Sequence, residues 1–304
     1  MLRFVSRRII FITSVCVMII FAINLGMGMA SNSILREPDF NVVDHSQLAW
    51  AKTRNYIENL AKGNLGSVNH ETLGTIPIWE LLKDVYIKSM GLLFIALVIS
   101  AAMGIYIGIF AALVKNRQIV LALLILTILG VSTPAFFAGL LLQQGELRYL
   151  SIFGHPLVNM AGFGWDFDHM LMPLLVLMAR PLAYITRATF ITLDQVMDEN
   201  FITTAYAKGL RQRWVVLSHA LPNIAIPTLT ASLVSLRFSL SALPVVELFF
   251  AWPGIGLRLL EAINARQTEL VVTLALALGL TILLINLLLD VIYRMIDPRL
   301  REDA

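Results

Sequence analysis

Cysteine is nearly absent from this chain of 304 residues: the single thiol, Cys16, sits inside an apolar run. That excludes a disulfide framework and any cysteine metal site, and leaves Cys16 a packing role. Charge is scarce too. Only 14% of residues are Asp, Glu, Lys or Arg, and 23 basic against 20 acidic side chains leave a net charge of +3. The basic residues are spread over connecting segments, so no nucleic-acid surface is expected. Catalytic constellations are missing as well. There is no HExxH, GxSxG or CxxC, no paired intramembrane carboxylate, and none of His45, His70, His155, His169 and His219 falls mid-span. An intramembrane protease or a proton-relay pump needs such groups. Ala207-Lys208-Gly209 has the wrong order for a Walker A loop and lacks its earlier glycine, so nucleotide chemistry belongs to another chain.

Apolar residues are what the chain has in quantity. They make up 58% of it, with a mean hydropathy of +0.78, which is far too apolar for a soluble globule. The expected class is an all-α polytopic membrane protein. Apolar runs at about 9–30, 89–114, 119–142, 170–193, 223–250 and 271–293 are each long enough to cross a bilayer, giving six spans. The first follows Arg3, Arg7 and Arg8 and reads as a retained span rather than a cleaved signal, since Gly28-Met29-Ala30 is a poor cleavage site. Four segments are expected: an N-terminal helix (1–30), an external loop with an interfacial helix (31–88), a five-helix core (89–293) and a tail (294–304).

In the polar stretch 31–83, Lys62 to Val68 reads as turns, and 76–88 has Ile78, Leu81, Leu82 and Val85 at helical spacing after Pro77. Trp79 and Tyr86 suit the aromatic belt at the membrane surface. Orientation follows from Lys and Arg. With the N-terminus in the cytoplasm, the inner segments hold Arg3, Arg7, Arg8, Lys115, Arg117, Lys208, Arg211, Arg213, Arg294, Arg299 and Arg301, whereas the short outer loops hold only Arg148, Arg258 and Arg266. Both termini are therefore expected in the cytoplasm.

Between the fourth and fifth spans, Asn200 to Pro227 is too polar for lipid and too apolar for a plain linker. Phe201, Thr204, Ala205 and Lys208 recur at i, i+3, i+4 and i+7, so a short helix puts them along one face. Gly209 supplies the stop, and a second helix is expected from Leu210 to Leu221, closed by Pro222 and Pro227. Two short helices over 200–222, broken at a glycine, with a greasy face and a basic rim, make a knob that a partner can hold. The plainer alternative is an amphipathic loop resting on the membrane.

Three arginines fall within spans. Arg187, near a cytoplasmic end, can snorkel, whereas Arg180 and Arg237 are candidates for a polar pathway. Pro134, Pro173, Pro181 and Pro244 interrupt helix ladders, and Gly104 and Gly108 lie on a small-residue stripe suited to close helix packing.

The run Thr204-Ala205-Tyr206-Ala207-Lys208-Gly209-Leu210, continued by Val215, His219-Ala220-Leu221, Asn223 and Ile226-Pro227, resembles the cytoplasmic coupling motif of ABC importer permeases of the peptide/nickel subfamily. Gly63-Asn64-Leu65-Gly66-Ser67 resembles the family's external GDLG-type turn, and Gly130 to Phe136 (GVSTPAF) its third-span segment. Glu247 to Gly256 (ELFFAWPGIG) is similar to its E-x-x-F-x-W-P-G-[LI]-G signature. Asn286, Asp290 and Asp297-Pro298-Arg299-Leu300-Arg301 match its N-x-x-x-D and D-P-R-x-R ending. The resemblance runs from Arg3 to Arg301.

The resemblance implies the type I importer permease fold and a subunit that transports rather than catalyses. It implies a coupling helix over 200–212, with Phe201, Thr204, Ala205, Ala207, Lys208, Gly209 and Leu210 in a groove of a cytoplasmic ATPase. Arg180, Arg237 and Glu247 are carried over as pathway or gate residues, and Trp252, Pro253, Gly254 and Gly256 as an external turn toward a binding protein. The implied partners are a second homologous permease, two ABC ATPase subunits, an external solute-binding lipoprotein and membrane lipid. No metal and no cofactor is expected on this chain; ATP and magnesium are used by the ATPase. Di- or oligopeptides lead as solutes, with nickel chelates, glutathione and sugars behind. Departures from the pattern fall at Tyr206 and Tyr184, where arginine is usual, at Ser218 and Pro222, in the short 143–169 loop, and at Ser239 to Pro244 in place of paired glycines. The rival readings are a six-span secondary transporter or channel, a membrane enzyme and a passive scaffold. A channel or transporter would want a repeat or midplane ionisable groups.

Overall fold

A computed structural model describes residues 2–35, 42–70 and 74–296. The DPR ending, with Arg299 and Arg301, lies outside the described residues. The helices are α1 (Leu2–Leu35), α2 (Val42–Ala61), α3 (Ile78–Leu113), α4 (Arg117–Ser132), α5 (Ala135–Phe153), α6 (Phe167–Met197), α7 (Asn200–Ala207), α8 (Gln212–Val215), α9 (Leu221–Phe249), α10 (Ile255–Asn264) and α11 (Thr268–Ile296), with strands β1 (Ser67–His70) and β2 (Gly74–Pro77). Among the described residues, five helical stretches are long and apolar enough to span a membrane, and the bent pair α4 and α5 makes a sixth candidate.

The chain forms two compact units, Met1–Ser89 with Pro253–Ala304, and Met90–Trp252. This differs from the expected five-helix core, because 253–293 groups with the N-terminal third. In the first unit α1 packs on α2 and α11. Asn24 donates to Thr53 Oγ1 at 3.3 Å, and Phe21 meets Trp50 edge-on at 6.2 Å. Arg8 pairs with Asp290, which gives the N-x-x-x-D aspartate a structural partner. Val68, Ile78, Val85, Ile255, Leu270 and Leu274 form one buried cluster. The β-hairpin pairs Val68 with Ile76, and its entry turn is an Asn64 side-chain turn, with Oδ1 accepting from the Gly66 amide at 2.9 Å. The interfacial helix expected over 76–88 starts at Ile78, because Pro77 ends β2, and it continues into the following span as one 36-residue helix, Ile78–Leu113. No proline or loop sequence interrupts 78–113, so nothing stops the helix once started.

In the second unit α6 packs along α9, with α4 against α6 and α5 against α9. Gly104 and Gly108 of α3 face α6 so closely that a Cβ at Gly108 would lie 2.6 Å from the Thr189 Cβ. The small-residue stripe is therefore helix packing, as the sequence suggests. The third span, expected at 119–142 with a break at Pro134, is a bent pair of helices. Thr133, held extended by the following proline, ends α4, and α5 leaves at a bend of 109°. Sixteen residues of α4 reach about 24 Å, short of a hydrocarbon core of about 30 Å.

Pro181 within α6 frees a carbonyl that the neighbouring helix takes up. Pro181 offers no N–H to the Leu177 carbonyl, and Ser239 of α9 donates its hydroxyl there at 3.2 Å. The expected closure of the knob at Pro222 and Pro227 is also corrected. A π-turn at Val216–Ala220, with Leu221 N–H donating to the Val216 carbonyl, carries α8 into α9, and Pro222 falls in the first turn of α9, where no amide is needed.

Candidate functional site

The knob between α6 and α9 is set by one glycine. Gly209 has φ +78°, its amide donates to the Tyr206 carbonyl at 2.9 Å, and Leu210 N–H reaches back to Ala205 at 3.3 Å. Those two bonds are a Schellman stop, which an L side chain at that φ would strain. Ile202 and Ala205 point inward and join Leu193, Val215, Ala220 and Ile224 in a closed cluster. Ala205, expected on the docking face, is only 5% exposed and holds α7 to its own subunit. The free face carries Phe201, Thr204, Ala207 and Lys208 instead, continued past the stop by Leu210, Arg211, Arg213, Trp214 and Leu217, all exposed. Phe201 is 43% and Trp214 53% exposed, and the Arg213 guanidinium lies 5.9 Å from the Trp214 ring. Large rings therefore stand beside cations on this open face.

Arg180 sits at the break of α4. Its Nε donates to the Val131 carbonyl at 2.9 Å, and its guanidinium lies 5.8 Å from the Phe238 ring, which Tyr184 meets edge-on at 5.6 Å. A cation on the last carbonyls of α4 offsets both the freed acceptor and the negative helix end. Arg237 is exposed on α9, and so is Arg187 on α6. Glu247, expected at a gate, is fully buried, so its carboxylate faces packed protein rather than an open path. Its backbone carbonyl takes the Trp252 N–H at 2.9 Å and closes the turn after α9.

Trp252 is fully buried. Its ring stands 5.0 Å from Phe163 and 5.4 Å from Trp165, and Gly162 N–H donates to the Phe250 carbonyl at 2.9 Å. Pro253 follows in the other unit, where Gly254 precedes α10 and the Ile255 amide donates to Ser89 Oγ at 2.8 Å. The sequence reading missed Glu146. It is buried in α5, and its Oε1 accepts from the amides of Leu157 and Val158 at 2.6 and 3.2 Å, fixing the next loop. Treating 143–169 as loop hid it, although Leu147 and Leu150 continue the helical spacing of Gly139 and Gln143.

These features define a helical membrane protein with one broken span and an exposed knob, and among the described residues no cluster of His, Cys, Asp and Glu is placed to hold a metal. The family model for the binding-protein-dependent transport system inner membrane component matches residues 104–302. The glutathione transport system permease protein GsiC of Salmonella typhi is 32% identical over 250 residues, covering 81% of this chain and 78% of that protein. The dipeptide transport system permease protein DppB of Escherichia coli (strain K12) is 29% identical over 278 residues, covering 83% and 81%. The chain belongs to the binding-protein-dependent inner-membrane permeases, the transport subunits of ABC importers. It works with an ATPase, a separate subunit that hydrolyses ATP, and with a substrate-binding protein. That membership displaces the channel, enzyme and scaffold readings.

Proposed function

We propose that the chain is one of two homologous permeases that together form an import path for short peptides, driven by two ATPase subunits and fed by an external solute-binding lipoprotein. In this reading both termini are cytoplasmic, ATP and magnesium are bound by the ATPase pair alone, and the 200–217 knob is the handle that pair grips. The observation that carries it is the knob itself: α7 is locked to its own subunit by Ile202 and Ala205 while Phe201, Lys208, Leu210 and Trp214 stay free. A handle must be rigid at its root and open at its tip, because only then does motion of the gripping partner reach the spans. The excess of Lys and Arg in the segments on the knob's side supports a cytoplasmic placement. Peptides are favoured because the relatives are dipeptide and glutathione permeases, and glutathione is itself a tripeptide. Arg180, Arg237 and the broken third span serve the path and its gating, and Trp252, Pro253, Gly254 and Gly256 mark the outer turn.

The test is Phe201→Asp in the reconstituted importer. Phe201 is exposed, so the thermal midpoint of the permease stays unchanged, while co-purification with the ATPase and peptide-stimulated ATP hydrolysis fall at least tenfold. Full coupling in that variant would overturn the handle assignment.

A further inference from the structure

The first unit contains a cleft of about 370 Å³ that no part of the transport reading uses. It lies between α1, α2, the turn before β1 and the start of α11. Its polar lining is of three kinds. One cation, Lys52, and one carboxylate, Glu269, supply opposite charges, and Asn24, Asn55, Asn59 and Asn64 supply four carboxamides. A carboxamide carries both donors and an acceptor; Asn24 spends its amide N–H groups on Ile20 and Thr53, and Asn64 Oδ1 already accepts from Gly66, which leaves Asn55 and Asn59 as the two-way groups. Leu65 and Val272 add an apolar patch of small-side-chain size.

The walls are held in place. Asn24 is buried and tied by its amide to Ile20 and Thr53 at 3.0 and 3.3 Å. Tyr56 meets Thr273 Oγ1 at 2.9 Å, and Thr273 donates to the Glu269 carbonyl at 2.8 Å. Burial pushes the Tyr56 phenol up, opposed by the hydrogen bond to Thr273 and reinforced by the Glu269 carboxylate, so it stays protonated at neutral pH. Gly66 makes room for the carboxylate: a Cβ there would come within 2.6 Å of Glu269 Oε2, at a φ of +82°.

The lining selects by elimination. An anion site would gather cations, and a metal site would gather carboxylates or histidines; this cleft has one charge of each sign. A volume near the lower end of ligand pockets excludes large solutes. What remains is a small molecule with separated charges and amide groups between them.

We propose that this cleft binds a free short peptide as a zwitterion, its carboxylate toward Lys52, its ammonium toward Glu269 and its peptide amide on the asparagines. The assignment rests on the importer reading in one respect only, that short peptides are presented to this chain.

The experiment titrates the full chain in lipid nanodiscs with dialanine, followed by calorimetry. Saturable binding is expected, weakened at least tenfold in Lys52→Met and in Glu269→Gln. N-acetyl-alanine-N-methylamide, which keeps the amides and lacks both charges, binds the unaltered chain at least tenfold more weakly, a readout that needs no variant to fold. Absence of saturable dialanine binding, or equal affinity for the blocked compound, overturns the proposal. Phe201→Asp separates the two readings: it keeps dialanine binding while coupled hydrolysis falls. Coupling intact in that variant with dialanine still bound would sink the handle and leave the cleft, whereas no dialanine binding beside a lost coupling would sink the cleft and leave the handle.

Discussion

The knob at 200–217 and the turn at 247–252 use similar parts to opposite ends. Each follows a long helix, turns through a residue with positive φ (Gly209 and Ala251) and carries large rings. In the knob the rings face outward: Ala205 and Ala220 are buried with Ile202 and Val215, whereas Phe201 and Trp214 are open. In the turn the rings face inward, with Trp252 enclosed by Phe163 and Trp165. Apolar area has the same tendency to leave water in both places. On the proposed reading, the difference separates where the chain completes its own structure from where it leaves completion to a partner. A motif's residues acquire their meaning from the face they occupy, not from their type.

The strongest way to break this comparison is Trp252→Ala. If the turn is self-completed, removing a fully buried indole from a ring cluster destabilises the protein by about 3–5 kcal/mol, read as a lowered thermal midpoint in detergent. Phe201→Asp, by contrast, should leave that midpoint alone and act on coupling. The reverse pattern, a stable Trp252→Ala and an unfolded Phe201→Asp, would invert the assignment of the two faces. Arg180 lies between these cases, since it is exposed yet bonded within its own unit. Arg180→Met leaves the Val131 carbonyl without its donor at the α4 break and is expected to destabilise by about 0.5–1.5 kcal/mol. Arg180→Lys restores the charge but not the planar stack on Phe238, so it recovers part of the loss. Equal stability of both variants would show that the break needs no cation.

The placement of these residues in the sequence explains what could be read in advance. The spans were legible because a long apolar run has few alternatives in a bilayer, and the Gly209 stop because only one residue type suits that turn. The knob's polarity was half legible. The i, i+3, i+4, i+7 pattern fixed a face, but Ala205 satisfies an inward face and a close-packed partner equally well, and only the positions of Leu193 and Ile224 decide between them. Pro134 was recognised as a break without its 109° consequence, since the bend depends on α5 finding α9 to pack on. Pro222 misled for the opposite reason: a π-turn before it let the helix pass. Glu146 and α10 stayed hidden because their roles come from residues more distant in sequence, and Glu247 because a carboxylate in a signature reads as chemistry until its burial is known.

The smallest effect expected concerns the loop that delivers Phe163 and Trp165 to the cluster. Asp166 ends that loop, accepts from the His169 amide at 3.1 Å as the cap of α6, and contacts His169 Nδ1 at 2.8 Å. The His169 side chain, then the His169 amide, hold the Asp166 carboxyl below the usual carboxylate range. A carboxylate whose pKa is lower in the folded state stabilises that state above its ordinary pKa, and the contribution disappears as pH falls through the lowered value. The indole fluorescence of the 163–165 loop should therefore be constant from neutral pH down to the ordinary carboxylate range of about 4 and change only below it. Asp166→Asn keeps an oxygen for the cap but cannot lose a proton-dependent charge. It is expected to show nearly the same spectrum at neutral pH and none of the acid change, and an acid change that persists in the variant would place the responsible group elsewhere.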